Sequence, residues 1–277
     1  ACPGDEFVVF APYFPEYKGF IEGAGAKMVL IPPEIEGFQI DFDAFEAAIS
    51  EHTKGVVVNS PNNPSGVVYS RETLERLAAL ADGVVTWGGD GAVSALRRLA
   101  PPGCKLMEWG HRLSFAYVSG YEDREAEWSA LARHIVRTGG LLCSSCQVIF
   151  LDTGRLEEGE AFCQAFLPLL NRAARERNRD GAAQAALYTH TYRLERLAEG
   201  AGGRTWFGEG CSLTLKPDRE LELSPLHGNV LVKCLPRKAL LPVLRRQKGR
   251  LQTAGLLCPA QDRPALTQLL ARAGVTR

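Results

Sequence analysis

The sequence predicts a mixed α/β fold in which parallel strands alternate with helices. The first observation is a succession of short apolar runs, rich in β-branched residues, separated by stretches with apolar residues at helical spacing. The second is that glycine and proline punctuate most of these runs. The third is a hydrophobic content of 45% in 277 residues, enough to bury the core of one large domain or two modest ones.

A change in composition near residue 81 divides the chain. There are 5 basic and 12 acidic residues before it and 27 basic and 20 acidic residues after it, so the net charge changes from −7 to +7. Only Arg71 and Arg76 supply arginine before the boundary. Such a change favours two segments of different origin over chance variation within one domain. We therefore predict an N-terminal segment, residues 1–81, and a C-terminal segment, residues 82–277.

The N-terminal segment is predicted to form a parallel α/β layer. The expected strands are residues 7–10, 27–31 and 55–58, and the expected helices are residues 15–24, 41–51 and one beginning after residue 70. Asp41 or Asp43 is placed to cap the second helix, whose apolar face carries Phe42, Phe45 and Ile49.

The C-terminal segment continues the alternation. The expected strands are residues 83–87, 104–109, 115–118, 206–215, 229–234 and the end of 141–151, and the expected helices are residues 92–99, 128–136, 160–177, 182–198, 240–244 and 264–273. A glycine-rich turn, Gly88–Gly91, joins the first strand to the first helix. Its backbone N–H groups can approach a phosphate or a nicotinamide, although many such turns bind nothing. The charged run Arg172–Arg179 predicts a solvated helix end.

Composition disfavours several classes of function. No apolar run approaches the roughly 18 residues that a membrane span needs. The basic part of the chain has no dense Lys/Arg stripe with interleaved aromatic residues, so nucleic-acid binding is not predicted. The start at Ala1 has neither a signal peptide nor an initiator methionine and is expected to be an interior cut. Because the 8 scattered cysteines suit reduced thiols better than bridges, the predicted location is cytoplasmic.

Three motifs of the N-terminal segment carry a resemblance to a known family. They are Gly4–Phe7, Pro12–Tyr17 and Asn59–Gly66, which follow one another in the family's order. The segment resembles the large domain of the class I/II, fold-type I aminotransferases. This resemblance implies that the ring of Phe14 stacks on pyridoxal phosphate and that Asn63 hydrogen-bonds its phenolic oxygen. Judged from the residues alone, Phe14 is a core aromatic and Asn63 is part of a turn.

Other parts of the aminotransferase pattern are missing. The family needs a Schiff-base lysine in a Ser-Lys context, an aspartate on the pyridine nitrogen and an arginine for the substrate carboxylate, all well after residue 81. None of the later lysines has that context. The family's phosphate loop is expected before residue 1. Without the amine the cofactor has no covalent anchor, so pyridoxal-phosphate-dependent transamination is the alternative hypothesis.

Cys143 lies in a small-residue turn between a Gly-Gly break and a strand. Backbone donors in such a turn can lower the pKa of a thiol and hold an oxyanion. Cys143 and Cys146 also have C-x-x-C spacing, which leaves three alternatives. A redox pair should precede a helix rather than a strand, and a zinc site needs two further ligands at suitable spacing. Two buried structural thiols are the third alternative.

Three further motifs carry a second resemblance. They are Trp87–Val93, Trp109–Phe115 and Leu142–Gln147. With residues 251–255 and 273–277, they make the C-terminal segment resemble the LuxC-type acyl-CoA reductases, a branch of the aldehyde dehydrogenase superfamily. The resemblance implies an aldehyde-dehydrogenase-like catalytic domain. Related CoA-linked enzymes place the catalytic cysteine four residues before a glutamine, here Gln147, so Cys143 is the implied nucleophile and Cys146 the second choice.

The same resemblance assigns other residues. Gly88 and Gly89 correspond to the superfamily's loop beside the nicotinamide, and Glu108 corresponds roughly to the general base of hydrolytic aldehyde dehydrogenases. A thioester reductase need not activate water, so Glu108 is equally well a strand-edge charge. His111 is a candidate contact for the cofactor or the acyl group, although a histidine in a turn is more often structural.

The implied activity is reduction of an acyl-CoA or acyl thioester to an aldehyde through a cysteine-bound acyl group. The implied cofactor is NADP or NAD, no metal is expected, and a homo-oligomer is compatible with the family. The N-terminal segment occupies the place of the first Rossmann strands, so the Rossmann part is expected to be incomplete. A non-catalytic fusion product is therefore a third hypothesis.

Overall fold

A computed structural model describes residues 1–120, 124–198 and 203–277 and divides the chain into two compact units, Ala1–Trp109 and Gly110–Arg277. Both units contain helices and strands, so the predicted mixed α/β fold is confirmed. Among the described residues, no helix combines the length and the apolar character that a membrane span requires.

Strands and helices alternate along the first unit. They are β1 (Glu6–Phe10), α1 (Glu16–Gly23), β2 (Lys27–Ile31), α2 (Phe42–Ala48), β3 (Thr53–Val57), α3 (Arg71–Ala79), β4 (Gly83–Trp87), α4 (Asp90–Leu99) and β5 (Lys105–Trp109). The first three strands form a parallel sheet in the order β2-β1-β3, and β4 pairs with β5 in parallel.

The central strand β1 is buried on both faces. Val8 and Phe10 pack with Phe45 of α2 on one face, and the rings of Phe10 and Phe45 are 5.5 Å apart. Val9 packs with Ile21 of α1 on the other face. Since side chains alternate along a strand, one short apolar run supplies both layers of this core.

The second helix is shorter than predicted. Asp41 caps it, and its Oδ1 accepts a hydrogen bond from the Ala44 N–H at 3.0 Å. The helix ends at Ala48 because Ile49 adopts an extended backbone, with ψ of 131°. Ile49 is therefore 43% exposed and does not lie on the buried face.

The strands just after the change in composition belong to the first unit. Helix α4 begins at Asp90, two residues before its predicted start, and contacts α3. The Gly88 N–H donates to the Trp109 carbonyl at 3.1 Å. Composition changes near residue 81, but packing divides the chain after Trp109, because α3 and α4 lie against each other.

The second unit contains a larger sheet. Its elements are β6 (Leu113–Val118), α5 (Arg124–Thr138), β7 (Cys146–Leu151), α6 (Leu156–Ala174), α7 (Arg179–Ala198), β8 (Arg204–Phe207), β9 (Ser212–Lys216), β10 (Asn229–Cys234), α8 (Arg237–Leu244), a 3-10 turn (Arg245–Gln247), β11 (Leu251–Leu257) and α9 (Arg263–Ala273). The strand order is β11-β6-β7-β10-β9-β8, and only the β8–β9 pair is antiparallel among these paired strands.

Helices cover both faces of this sheet. On one face, Ile149 of β7 belongs to a buried cluster with Trp128 of α5 and Phe166 of α6. On the other face, Phe150 belongs to a cluster with Leu240 of α8. Every residue of β7 is buried, which gives the turn before it a fixed support.

Two regions differ from the predicted elements. Residues 206–215 form parts of two antiparallel strands, because Gly210 has a φ of 66° and the Gly208 N–H donates to the Cys211 carbonyl at 2.9 Å. Residues 251–257, for which no element is predicted, form β11 at the edge of the sheet, paired with β6. The position of β11 matters because it brings a polar side chain to the turn before β7.

Candidate active site

Cys143 lies in the turn between α5 and β7. Gly139 and Gly140 end α5 with φ of 57° and 81°, a backbone conformation that favours glycine. Two hydrogen bonds then close the turn: the Leu142 N–H donates to Ser145 Oγ, and the Ser145 N–H donates to the Leu142 carbonyl, both at 2.9 Å. Cys143 is exposed within this fixed turn.

Ser114 of β6 ties the Cys143 backbone to two strands. Its hydroxyl donates to the Cys143 carbonyl at 2.7 Å and accepts a hydrogen bond from the Thr253 N–H of β11 at 3.0 Å. Ser114 is itself almost fully buried. Because β6 lies between β11 and β7, this one hydroxyl links the turn to both neighbouring strands.

Gln252 of β11 contacts the candidate nucleophile directly. Its Nε2 donates to Cys143 Sγ at 3.3 Å. The pairing of β11 with β6 has a register shift around Gln252, a bulge of the kind that re-aims a side chain. The Gln252 carbonyl accepts the N–H groups of Thr276 and Arg277 at 3.1 and 2.8 Å. The amide is thus aimed at the sulfur from a backbone that is held in place.

Gln147, predicted from its spacing to Cys143, holds the turn. It is buried, and its Nε2 donates to the Gly140 carbonyl at 2.9 Å. Its Oε1 accepts hydrogen bonds from the Ser224 N–H at 3.0 Å and from Ser224 Oγ at 2.7 Å. The four-residue spacing therefore places the cysteine at the tip of the turn and the glutamine beneath it.

Cys146 is a poor nucleophile in this structure. It begins β7 and is buried, and this burial raises the pKa of its thiol to about 12. All eight cysteines lie in the described ranges and are free thiols. Within those ranges, no group of three or more His, Cys, Asp or Glu side chains is arranged to hold a metal ion. Cys146 fits the description of a buried structural thiol.

The other residues assigned by the reductase resemblance lie outside this turn. Glu108 of β5 accepts hydrogen bonds from Arg97 at 2.7 and 2.5 Å, and these bonds lower the pKa of the carboxyl. Gly89 is the N-cap of α4, and a Cβ there would meet no atom within 4 Å. A Cβ at Gly88 would make an ordinary van der Waals contact with Ala92, at 3.8 Å, so only Gly89 of the two faces open space. His111, just ahead of β6, is exposed.

The two residues assigned by the aminotransferase resemblance lie in the first unit. Phe14 is half-buried, and its ring meets that of Tyr17 edge-on at 5.6 Å. Asn63 is exposed, whereas its neighbour Asn62 is buried and closes the turn. Asn62 Oδ1 accepts the Ser65 N–H at 3.2 Å and the Ser65 hydroxyl at 2.8 Å. The turn is therefore stable through its own hydrogen bonds.

Two contacts at Cys143 are not predicted from the sequence. Ser114 lies in the motif Trp109–Phe115 and Gln252 in the motif at residues 251–255, but the resemblance assigns no role to either. Both reach Cys143 through the strand order of the sheet, which brings together residues 29 and 109 positions from it in the chain. No local spacing signals such contacts.

Comparison with known proteins finds two family models. Residues 65–277 match the model of acyl-CoA reductase (LuxC), and residues 1–86 match that of aminotransferase class I and II. The two matches overlap at residues 65–86, which include the change in composition.

Individual relatives match the N-terminal part. A probable aspartate/prephenate aminotransferase of Thermus aquaticus is 49% identical over 81 residues, which are 28% of this chain and 21% of that protein. The aspartate/prephenate aminotransferase of Thermus thermophilus is 48% identical over 81 residues, which are again 28% of this chain and 21% of that protein. A solved structure of a Thermus thermophilus aspartate aminotransferase double mutant is 44% identical. The match covers 29% of this chain and 21% of the aminotransferase chain, and its TM-score is 0.28. The chain spans about a fifth of the length of these relatives.

Proposed function

The chain belongs to the acyl-CoA reductase (LuxC) family, and from this premise we propose that it reduces an acyl thioester to an aldehyde at Cys143. The observation that carries the proposal is the exposed Cys143 thiol, presented by a fixed turn with the Gln252 amide on its sulfur. The C-terminal segment, residues 82–277, is proposed to be an aldehyde-dehydrogenase-like catalytic domain.

Acylation needs only the cysteine and the thioester. The Cys143 thiolate forms a bond to the carbonyl carbon, the bond from that carbon to the coenzyme A sulfur breaks, and coenzyme A leaves as a thiolate that takes up a proton. A thiolate suits both halves of the cycle because it is a strong nucleophile and a good leaving group. When the acyl group is reduced, its bond to Cys143 breaks, the aldehyde leaves and the thiolate is restored.

Two donors at the turn can stabilise the negative charge that develops on the acyl oxygen. The Cys143 N–H makes no hydrogen bond to any residue that the structure describes, so it is available to an oxyanion. Gln252 Nε2 carries two protons, and only one is needed for the contact with Cys143 Sγ. Fixed donors of this type act where charge develops during acyl transfer.

NADPH or NADH is the proposed hydride donor. The Gly88–Gly89 turn is proposed to lie beside the nicotinamide, and the open space at Gly89 fits the approach of a flat ring. Glu108 is proposed to act as a partner of Arg97 rather than as a base, because the ion pair lowers its pKa and thioester reduction does not require activated water.

Gln252→Leu should slow acylation of Cys143 by about tenfold to a hundredfold, because it removes a donor that acts on the sulfur and on the oxyanion. The protein is incubated with acyl-CoA and the reaction is quenched after different times. Mass spectrometry then gives the fraction of acylated protein at each time, and hence the rate. Gln261→Leu changes an exposed glutamine outside the turn and serves as the control. An unchanged rate would remove Gln252 from the mechanism.

The proposed function is tested by incubating the folded protein with an acyl-CoA and no reductant. We expect the mass to rise by one acyl group and peptide mapping to place that group on Cys143. Neutral hydroxylamine should remove it, since it cleaves thioesters. A folded sample that gains no mass over the course of the incubation would contradict the proposal.

The aminotransferase match supports a second candidate, pyridoxal-phosphate chemistry in the first unit. Phe14 and Asn63 are present, but the chain contains no Ser-Lys pair to form the covalent link. In the first unit, Lys27 instead pairs with Glu6 at 2.8 Å. The residues present therefore do not fit a covalently held cofactor, and no step of transamination is assigned to them.

A further inference from the structure

A cationic cleft lies beside the Cys143 turn. It has a volume of about 350 Å³ and is formed by the last turns of α5 and α6, the start of α7 and the loop that carries His227. Arg133, Arg137 and Arg177 line it, against one carboxylate, Glu176. This excess of positive charge in a concave surface is suited to an anion.

Arg177 is a half-buried cation without an anionic partner. Its guanidinium donates to the carbonyls of Gly210 and His227, at 2.8 and 2.9 Å, and forms no ion pair with any carboxylate in the described parts of the chain. Burial lowers the pKa of Arg177, which reflects the free-energy cost of keeping its charge there. Buried charges in proteins are normally paired. The charged run predicted to be a solvated helix end therefore contains one half-buried member.

The backbone is shaped to accept this arginine. Gly228 has a φ of 93°, and a Cβ at that position would overlap Arg177 Nη2. Gly210 has a φ of 66°, and a Cβ there would lie 3.4 Å from Arg177 Nη1. Two glycines in conformations that disfavour side chains thus make room for one guanidinium.

His227 is the second group in the cleft whose polar side-chain atoms have no hydrogen-bond partner among the described residues. Only 9% of the residue is exposed, and its ring centroid lies 4.2 Å from that of Tyr188. Its ring nitrogens make no hydrogen bond to any residue in the described ranges, whereas its backbone N–H donates to the Gly139 carbonyl at 2.7 Å. Burial, followed by the charge of Arg177, lowers the pKa of His227. An anion between these two groups would satisfy both.

Arg133 and Arg137 complete the positive wall. They are four residues apart on α5, so they project from the same side of the helix. Both are exposed, and neither forms an ion pair within the described residues. A cation near a helix C-terminus also interacts favourably with the helix dipole, which explains Arg137 by itself. It does not explain a half-buried Arg177 beside a buried His227 whose ring nitrogens make no hydrogen bond to a described residue.

We propose that this cleft binds a phosphate group of the coenzyme A portion of the acyl thioester. The assignment rests on the proposed function, which makes acyl-CoA the substrate at Cys143. Leu141 lines the cleft and lies two residues before Cys143, and two Cα–Cα steps span at most about 7 Å. One end of the cleft therefore lies close to the candidate nucleophile. Arginine side chains bind phosphate through paired, charge-assisted hydrogen bonds.

The test compares two thioesters of the same acyl group, one of coenzyme A and one of pantetheine, which carries no phosphate. Acylation rates at limiting substrate are measured by mass for the wild type, the double variant Arg133→Gln/Arg137→Gln and the control Arg246→Gln. Both arginines of the double variant are exposed, as is Arg246, which does not line the cleft.

We expect the wild type and the control to prefer the coenzyme A thioester, and the double variant to lose about tenfold or more of that preference. Its rate with the pantetheine thioester should not change. If the double variant is acylated and keeps the full preference for the coenzyme A thioester, the assignment of the cleft is overturned but the proposed function is not. A second result would also overturn it: the double variant binds NADPH more weakly than the wild type does, binds NADH equally well and keeps the preference for the coenzyme A thioester. The cleft would then hold a cofactor phosphate. If neither thioester acylates the wild type, the proposed function itself fails.

Discussion

Cys143→Ala should abolish acyl transfer and lower acyl-CoA reduction by at least about a thousandfold, because it removes the atom that carries the acyl group. Cys143 is exposed, so the change should leave the melting temperature nearly unaltered. The measurements are the mass of the protein after incubation with acyl-CoA, the rate of NADPH oxidation and a thermal melt.

Cys146→Ala is the matched control for this experiment. Cys146 is buried in the core cluster that covers one face of the sheet, and burial raises the pKa of its thiol to about 12. The variant should keep acyl transfer and lose about 1 kcal/mol of stability through the missing sulfur. Two results would reverse the roles of the two thiols. One is that the Cys143→Ala variant is acylated at the wild-type rate, and the other is that a folded Cys146→Ala variant is not acylated.

Iodoacetamide gives an independent test of the same assignment. At pH 8 the exposed Cys143 should react in the native protein, whereas the buried Cys146 should react only after unfolding. Peptide mapping at two denaturant concentrations separates the two. This measurement needs neither substrate nor cofactor, so it distinguishes an inactive protein from a wrongly assigned cysteine.

Local sequence patterns predict much of the fold because they encode local preferences. The apolar run at 27–31 and the run at 229–234 form strands with the predicted bounds. The cap of α3 is likewise local, since Ser70 Oγ accepts the Thr73 N–H at 3.0 Å. The bounds fail where a local turn competes, as in the early end of α2 at Ala48.

The surroundings of Cys143 depend on contacts that no local pattern encodes. Gln252 reaches the sulfur only because β11 pairs with β6 and bulges at that point. The cleft depends on the same kind of contact, since Arg177 is half-buried against the backbone around residues 210 and 228. A charged run in the sequence predicts solvation, and the folded loops override that preference. The sequence spacing is enough to propose Cys143 as the nucleophile, whereas its contacts with other side chains can be identified only from the strand order of the folded sheet.

Lys233→Met should destabilise the second unit by about 2 kcal/mol, since it removes charge-assisted hydrogen bonds from two carboxylates. Lys233 lies on β10 and is fully buried. Its Nζ donates to Asp218 Oδ1 at 2.5 Å, to the Glu220 carbonyl at 2.7 Å and to Glu222 Oε1. Methionine keeps a long apolar side chain, so the loss of stability measures the contribution of the charge more than that of the packing. The free energy of unfolding is measured with urea at pH 7.

Lys216→Met is the matched control, because Lys216 also pairs with Glu222, at 2.7 Å, but is partly exposed. Its loss should cost less than about 1 kcal/mol. An equal cost for the two variants would mean that burial of Lys233 does not set the strength of the network.

The pH dependence of the Lys233→Met effect separates charge from packing. Burial opposes ionisation of Asp218 and Glu222, but the hydrogen bonds from Lys233 and Lys216 outweigh it and lower the pKa of both carboxyls below their unfolded values. A lowered folded pKa gives stability that is complete above the unfolded pKa, near 4, and is lost as pH falls through the folded value. The gap between wild type and Lys233→Met should therefore be widest at neutral pH and narrow in acid. A gap that stays constant from pH 7 to pH 3 would show that Lys233 contributes through packing alone.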